Sequence, residues 1–321
     1  MDQAHLVPGL ETSRIGFGCG RLVGGASFRE SAKLVETALA AGITHFDVAP
    51  AYGLGLAEQV IGKVTRDVAG VTIVTKAGIA RPPHGLAKSL VRKLAKPFTD
   101  RSARLKANLV AANATPASAR KRLTADQLRL SFNESLRNLG RSEVAALLLH
   151  ESPTDIDPTV EAALESLQSE GLLKTFGAGT GDVGQALPLV GSVRQFRWTP
   201  QEAEELSTPE KTNIRHGVLR HGVSSLRAAL LSPDAQDQKL AQALQVDVED
   251  VTGMSSLMVS MALALDPKGI VLVSSNTPAR VRSLAANLNW QAARGIDQAF
   301  ITAARQVNII LAARSENIPN V

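Results

Sequence analysis

Short apolar, β-branched runs alternate along this chain with longer Ala/Leu-rich stretches whose apolar residues recur every three or four positions. That alternation is the pattern of strand–helix units building a parallel sheet. Eight runs read as strands: RIGFGCG from residue 14, THFDVAP from 44, VTIVTKAG from 71, VAALLLHES from 144, LKTFGAGT from 173, VRQFRWTP from 193, HGVSSLRA from 221 and GIVLVSSNT from 269. Helical periodicity is expected over 28–41, 55–68, 124–139, 158–170, 182–190, 203–219, 253–265 and 278–290. Eight alternations predict an α/β fold of the (β/α)8 TIM-barrel type, a single domain over residues 1–321, since such barrels take about 250 residues plus insertions. An open doubly wound sheet is the structural competitor. Residues 81–122 form an insertion after the third strand, and QAARGIDQAFITAARQVNIILAARS forms a C-terminal helical tail. The tail's Phe300, Ile301, Val307, Ile309, Ile310 and Leu311 are too apolar for a free end and predict packing on the barrel.

Composition narrows the picture. Aromatic residues are 3% of the 33.9 kDa chain, so its core must be built from Ala, Leu, Val and Ile. A single cysteine, Cys19, excludes an intramolecular disulfide framework and a Cys-rich metal site, and fits a reducing compartment. The start, MDQAHLVPGLETS, has no basic segment followed by an apolar one, and no stretch approaches the roughly eighteen apolar residues of a membrane span. A cytoplasmic location without a membrane partner is expected. The net charge of +5 comes from one place: residues 81–122 hold eleven Lys/Arg against Asp100 alone, which leaves the remainder of the chain at −5. Three readings fit that segment. It is a solvated excursion poor in aromatics, a lid whose cations attract an anionic substrate, or a nucleic-acid surface, the least favoured because only Phe98 interleaves its charges.

Chemistry gathers at the strand ends, where a barrel builds its active site. Asp47 follows THF, Lys76 follows VTIVT, His150 follows VAALLL, and Tyr52, the only tyrosine in the chain, lies five residues beyond Asp47 between Pro50 and Gly53. Each alone has an ordinary structural role. Together they are complementary: an ammonium near a phenol stabilises phenolate and makes it a better general acid. A carboxylate keeps a buried ammonium charged, and an imidazole can hydrogen-bond a substrate oxygen as negative charge builds there. Such a set suits carbonyl reduction, which also needs a hydride donor that no side chain supplies.

These stretches resemble a known family. HFDVAPAYGLGLAEQVIG looks like the signature of the aldo-keto reductases, and VTKAG and LLLHES look like its lysine and histidine segments in the same order, over roughly residues 14–290. The resemblance implies a (β/α)8 barrel with Asp47, Tyr52, Lys76 and His150 as catalytic tetrad, and NADP(H) as hydride donor with NAD(H) as the alternative. The cofactor residues it implies are Gly179 and Thr180 in place of a usual Ser-Asn pair, Gln195, and Ser274, Ser275, Asn276, Thr277 and Arg280 from SSNTPARVR, at a helix start suited to phosphate. Ser274 stands where the family has lysine, and Ser283 and Leu284 where it has Glu-Asn. The family's ring that stacks on nicotinamide from the seventh strand has no counterpart in HGVSSLRA. The substrate implied is a small aldehyde, ketone or sugar, or the corresponding alcohol; the other reading is a regulatory or redox-sensor subunit that binds NADP(H) with little turnover. GTGDVG at 179–184 also fits a Rossmann fingerprint, but the next strand ends in Trp198-Thr199-Pro200 without the acidic residue a ribose needs.

Overall fold

A computed structural model describes residues 2–23, 26–82, 122–182, 186–200, 211–231, 247–294 and 298–315. Outside those residues lie 83–121, almost the whole basic insertion with its expected lid, and parts of the expected helices 182–190 and 203–219. Strands β1 (Gln3–Val7) and β2 (Leu10–Ser13) form an antiparallel hairpin. Eight parallel strands then close into a barrel: β3 (Ile15–Gly18), β4 (His45–Asp47), β5 (Thr72–Ala77), β6 (Val144–His150), β7 (Leu173–Gly179), β8 (Val193–Arg197), β9 (Thr212–His216) and β10 (Ile270–Val273). Closure is made by β10 pairing β3 through Val271 with Ile15 and Val273 with Phe17. The expected (β/α)8 barrel is the fold observed.

Side chains alternate across these strands. Val74, Ala146, Leu148, Val193, Ile214, Ile270 and Leu272 form one buried cluster with Ala4 and Leu6, so the hairpin stoppers the N-terminal end of the barrel. Phe17, Phe46, Ile73, Leu147, Leu149 and Phe176 belong to a second cluster, against the surrounding helices. Burying both faces explains why these strands read as unbroken apolar runs. The helices start where local chemistry predicts. A Ser27/Glu30 capping box opens α1 (Phe28–Ala40), a Thr124/Gln127 box opens α3 (Ala125–Leu139), and Asp157 caps α4 (Pro158–Ser169) with proline in its first turn. Between the first two lies α2 (Ala57–Thr65). Behind α4 come α5 (Val218–Leu230), α6 (Val251–Leu265), α7 (Pro278–Arg294) and α8 (Gln298–Ser315).

Three expectations are corrected. The seventh strand is TNIRH, Thr212–His216, not HGVSSLRA, which lies inside α5; the helix expected over 203–219 is therefore absent from 212–216. Only Ile214 gives this strand an apolar inward face. Its outward residues are polar: Asn213 Nδ2 donates to Asp266 Oδ2 at 3.0 Å, Arg215 pairs with the same carboxylate at 3.2 Å, and Arg194 Nη2 donates to Asn213 Oδ1 at 3.1 Å. A buried polar network stands where a buried strand ordinarily carries hydrophobic residues. HGVSSLRA instead completes the helical spacing of buried Val218, Gly222, Leu226 and Leu230. In the expected helix 182–190, residues 186–190 have no regular structure, and Pro188 removes a donor there. Finally, the β1–β2 hairpin, outside the expected elements, turns at Pro8-Gly9, where Gly9 has φ +81°, a turn signal in the sequence itself. The helical tail packs on the barrel through Ala304, Val307 and Leu311, which are buried, whereas Ile309 of the expected apolar set is exposed.

Candidate active site

The parallel register brings the functional strand ends level. Gly18 pairs with Asp47, Lys76 with Leu148, His150 with Gly179, and Gly179 with Gln195. Asp47, Tyr52 and His150 line one cavity of about 600 Å³ at the C-terminal end of the barrel. Lys76 sits behind it, 2% exposed. Its Nζ donates to Asp47 Oδ2 at 2.5 Å and to the Val48 carbonyl at 3.3 Å, and lies 5.2 Å from the centre of the Tyr52 ring. Gln195 Nε2 donates to the same Asp47 oxygen at 2.7 Å. The Tyr52 and His150 rings meet edge to face, centroids 5.9 Å apart at 88°. The four groups singled out from the sequence are thus brought together.

Burial and charge oppose one another in this cluster. Burial would strip the Lys76 proton, but Asp47, then Tyr52, outweigh it and the ammonium is held above its ordinary value of 10.5. Burial raises Tyr52 above the usual 10.0, with Lys76 pulling the other way. The lysine therefore acts on the phenol in the expected direction without winning, and the resting phenol keeps its proton. Cys19, against the same groups, is pushed well above the thiol range, chiefly by burial.

Of the expected cofactor residues, Gly179, Thr180, Gln195, Ser274, Ser275, Asn276 and Arg280 line the cavity; Thr277 does not, its N–H instead donating to Ser275 Oγ at 3.1 Å. Ser274 Oγ donates to the Gly18 carbonyl at 2.8 Å, an approach that a Cβ on Gly18 would obstruct at 2.7 Å. At Gly179 a Cβ would stand 3.0 Å from Gln195 Oε1. The cavity runs from the Tyr52–His150 pair to the start of α7, where Arg280 has no carboxylate partner among the described residues. A cleft with glycine walls, the Arg280 guanidinium at a helix start and polar groups at the far end fits an extended anionic cofactor such as a dinucleotide.

Of the lining residues not expected from the sequence, His216 and Glu151 bear most directly on the chemistry. The true seventh strand ends in His216, whose ring lines the cavity with Nε2 2.9 Å from the Thr180 carbonyl. A ring is therefore present at that strand end, contrary to the expectation from HGVSSLRA. Burial holds His216 below 6.5, so at neutral pH it is an uncharged imidazole donating through Nε2. Glu151, with left-handed φ of 56°, accepts from Thr180 Oγ1 at 2.7 Å and from the Gly181 N–H at 2.6 Å. Its position next to His150 was the only signal available.

A family model described as the Aldo/keto reductase family matches residues 14–189, more than half of the chain. The chain belongs to that family. Among curated relatives of this chain, a D-threo-aldose 1-dehydrogenase of Pseudomonas sp is 30% identical over 196 residues, 56% of this chain and 53% of that protein. The aldo-keto reductase YhdN of Bacillus subtilis is 41% identical over 63 residues, 18% of this chain and 19% of its own. The alignments thus span about half or less of those relatives. Among solved structures, aldo-keto reductase AKR11C1 from Bacillus halodurans superposes with TM-score 0.63 at 16% identity, covering 97% of this chain and 96% of that one. The glycerol dehydrogenase AKR11B4 from Gluconobacter oxydans gives 0.60 at 17%, with 99% and 98% covered. At such identities the structures attest the barrel alone. The family is one of oxidoreductases that generally use nicotinamide dinucleotides. Among the described residues no helix is long and apolar enough to cross a membrane, and no cluster of His, Cys, Asp and Glu is arranged to hold a metal.

Proposed function

We propose that this reductase interconverts a small aldehyde, ketone or sugar with its alcohol or oxidised form using NADP(H), with Tyr52 as general acid and base. The observation that carries the reading is the chain of contacts from buried Gln195 through buried Asp47 and Lys76 to the half-buried Tyr52, opening on a cavity that also exposes His150. Ser275, Asn276 and Arg280 are the residues for the cofactor's phosphate end, and Thr180, Gln195 and His216 those for its nicotinamide end. When bound, the nicotinamide dinucleotide supplies or accepts the hydride.

The chain's own groups manage the proton. Tyr52 delivers its hydroxyl proton to the substrate oxygen as negative charge develops there, and Lys76 stabilises the phenolate left behind. Asp47 keeps Lys76 protonated, and Gln195 holds the carboxylate in place. His150 directs the substrate oxygen by hydrogen bonding. In the oxidative direction the same phenolate takes the proton back. The relative named for aldose oxidation favours sugars among the substrates to try in both directions.

The test is NADPH consumption with a panel of small aldehydes, sugars and quinones, and NADP⁺ reduction with aldoses, for the parent and Tyr52→Phe. Loss of the general acid should cost about 10²–10⁴-fold in turnover. Unchanged rates in Tyr52→Phe would defeat the proposal, and tight NADPH binding with negligible turnover on every substrate would favour the sensor reading. Arg280→Ala should weaken NADPH more than NADH; equal weakening removes the argument for NADP(H).

A further inference from the structure

The turn that presents Tyr52 is not a conformation its sequence would hold unaided. Gly53, Leu54 and Gly55 have φ of 59°, 58° and 88°, three consecutive left-handed residues of which one carries a branched side chain. Such backbone persists only where neighbouring structure over-determines it. One constraint comes from the loop after β3: a Cβ at Gly53 would stand 2.4 Å from the Leu22 carbonyl. The other is Arg81. Its Nη1 donates to the Gly55 carbonyl at 2.7 Å, and its Cγ lies 3.0 Å from where a Gly55 Cβ would be.

Arg81 is itself anchored. Its Nη2 donates at 2.5 Å to Glu58 Oε2, on a fully buried carboxylate, and its Nε lies 2.7 Å from Glu134 Oε1 on α3. The other Glu58 oxygen accepts from Thr75 Oγ1 at 2.7 Å. Thr75 precedes Lys76 on β5, so the two side chains point to opposite faces of the strand, one toward α2 and the other into the barrel. A bonded path thus runs behind the sheet from the residue next to Lys76, through Glu58 and Arg81, to the turn carrying Tyr52. Arg81 does not line the cavity. It also belongs to the basic segment by sequence, yet its charge is spent on Glu58 and Glu134.

We propose that Arg81 is a positioning residue for catalysis: it braces the Tyr52 turn against the strand of Lys76 and so fixes the separation between phenol and ammonium across the barrel wall. A planar guanidinium fork suits this because its donors have fixed relative directions, so two acceptors held at once define a distance as well as an energy. A pair kept only for stability has no need of that geometry, since apolar residues of similar volume would serve as well.

The inference rests on the reading of Tyr52 as general acid, and the chain offers a probe that separates the two. Tyr52 is the only tyrosine, so labelling with Cζ-¹³C tyrosine gives one resonance whose pH titration reports that phenol in the cofactor-free protein. In the parent, burial places its midpoint above the ordinary 10.0. In Arg81→Ala the released turn should let the phenol into water, bringing the midpoint down toward the ordinary value. Turnover should drop by at least about tenfold, as misplacement of a reacting group costs, while NADPH affinity stays within about twofold because no cavity contact is removed. Guanidinium added at sub-denaturing concentration should restore midpoint and turnover together, a rescue that a loss of general stability would not show. If Arg81→Ala fails to fold, Thr75→Val removes the anchor of Glu58 while keeping volume and charges, and should move both readouts the same way. A parent-like midpoint and turnover in the foldable variant overturn the brace. Full activity in Tyr52→Phe overturns the general-acid reading, whereas an inactive Tyr52→Phe beside a parent-like Arg81→Ala overturns the brace alone.

Discussion

Replacing Lys76 with methionine keeps the chain length and apolar stem and removes the ammonium. In the folded protein Nζ lies 2.5 Å from Asp47 Oδ2, with side chains 2% and 4% exposed. At that separation, with an effective dielectric near 20, the attraction is about 7 kcal/mol. Taking both ions out of water returns several kcal/mol each, so the intact pair is close to neutral for stability, while removal of one partner leaves a buried carboxylate and costs about 3–5 kcal/mol. Gln195 still donates to Asp47, which places the expected cost near the lower figure. Removing both charges in Asp47→Asn/Lys76→Met should recover most of it, so the double-mutant cycle should show a coupling of about 2–3 kcal/mol. Urea unfolding followed by far-UV circular dichroism, with linear extrapolation to water, measures all four corners of the cycle. A cost below about 1 kcal/mol for Lys76→Met, or a double variant no more stable than the single, would refute the claim that this pair is desolvated and mutually dependent.

The remaining expectations bear on packing, pH and the cofactor end. Burial depresses His45 from 6.5 to about 4. The unfolded chain therefore binds a proton there that the folded one refuses, and stability should decline as pH falls from about 6.5 to about 4, by about 3 kcal/mol in all, then level off. His45→Asn should flatten that part of the pH profile in thermal melts, and an unchanged slope would assign the decline to other groups. Gly62→Ala would put a Cβ 2.4 Å from the Leu139 carbonyl, forcing α2 off α3. A loss of about 2–3 kcal/mol is expected, and a melting temperature equal to the parent's would contradict the close approach. His216→Ala should weaken NADPH binding about tenfold in a fluorescence titration, as loss of a ring contact does, without moving the Tyr52 titration; unaltered affinity would remove His216 from the cofactor end.

What could be read along the chain was whatever depends on neighbours in sequence. The order of strands and helices followed from apolar period and cap residues such as Ser27, Thr124 and Asp157, because these act within one turn of backbone. Asp47, Lys76 and His150 at strand ends, and Tyr52 in the loop after Asp47, were legible because a barrel aligns those ends, so the four could be grouped before any distance was known. Tertiary structure decided the rest, through relations between residues far apart. Thr212–His216 is a strand although its outward residues are polar, because Asp266, about fifty residues on, accepts a hydrogen bond from Asn213 and pairs with the charge of Arg215. With that strand came His216, the ring missing from the sequence reading. In sequence Arg81 is one more cation in a basic run; in the fold Glu58 and Gly55, 23 and 26 residues away, lie against it. Tyr52 likewise showed as a phenol near a lysine, but only packing determined that burial outweighs that lysine. Periodicity records which side chains prefer to leave water; it does not record which buried polar groups find partners, and in this barrel those pairings place the chemistry.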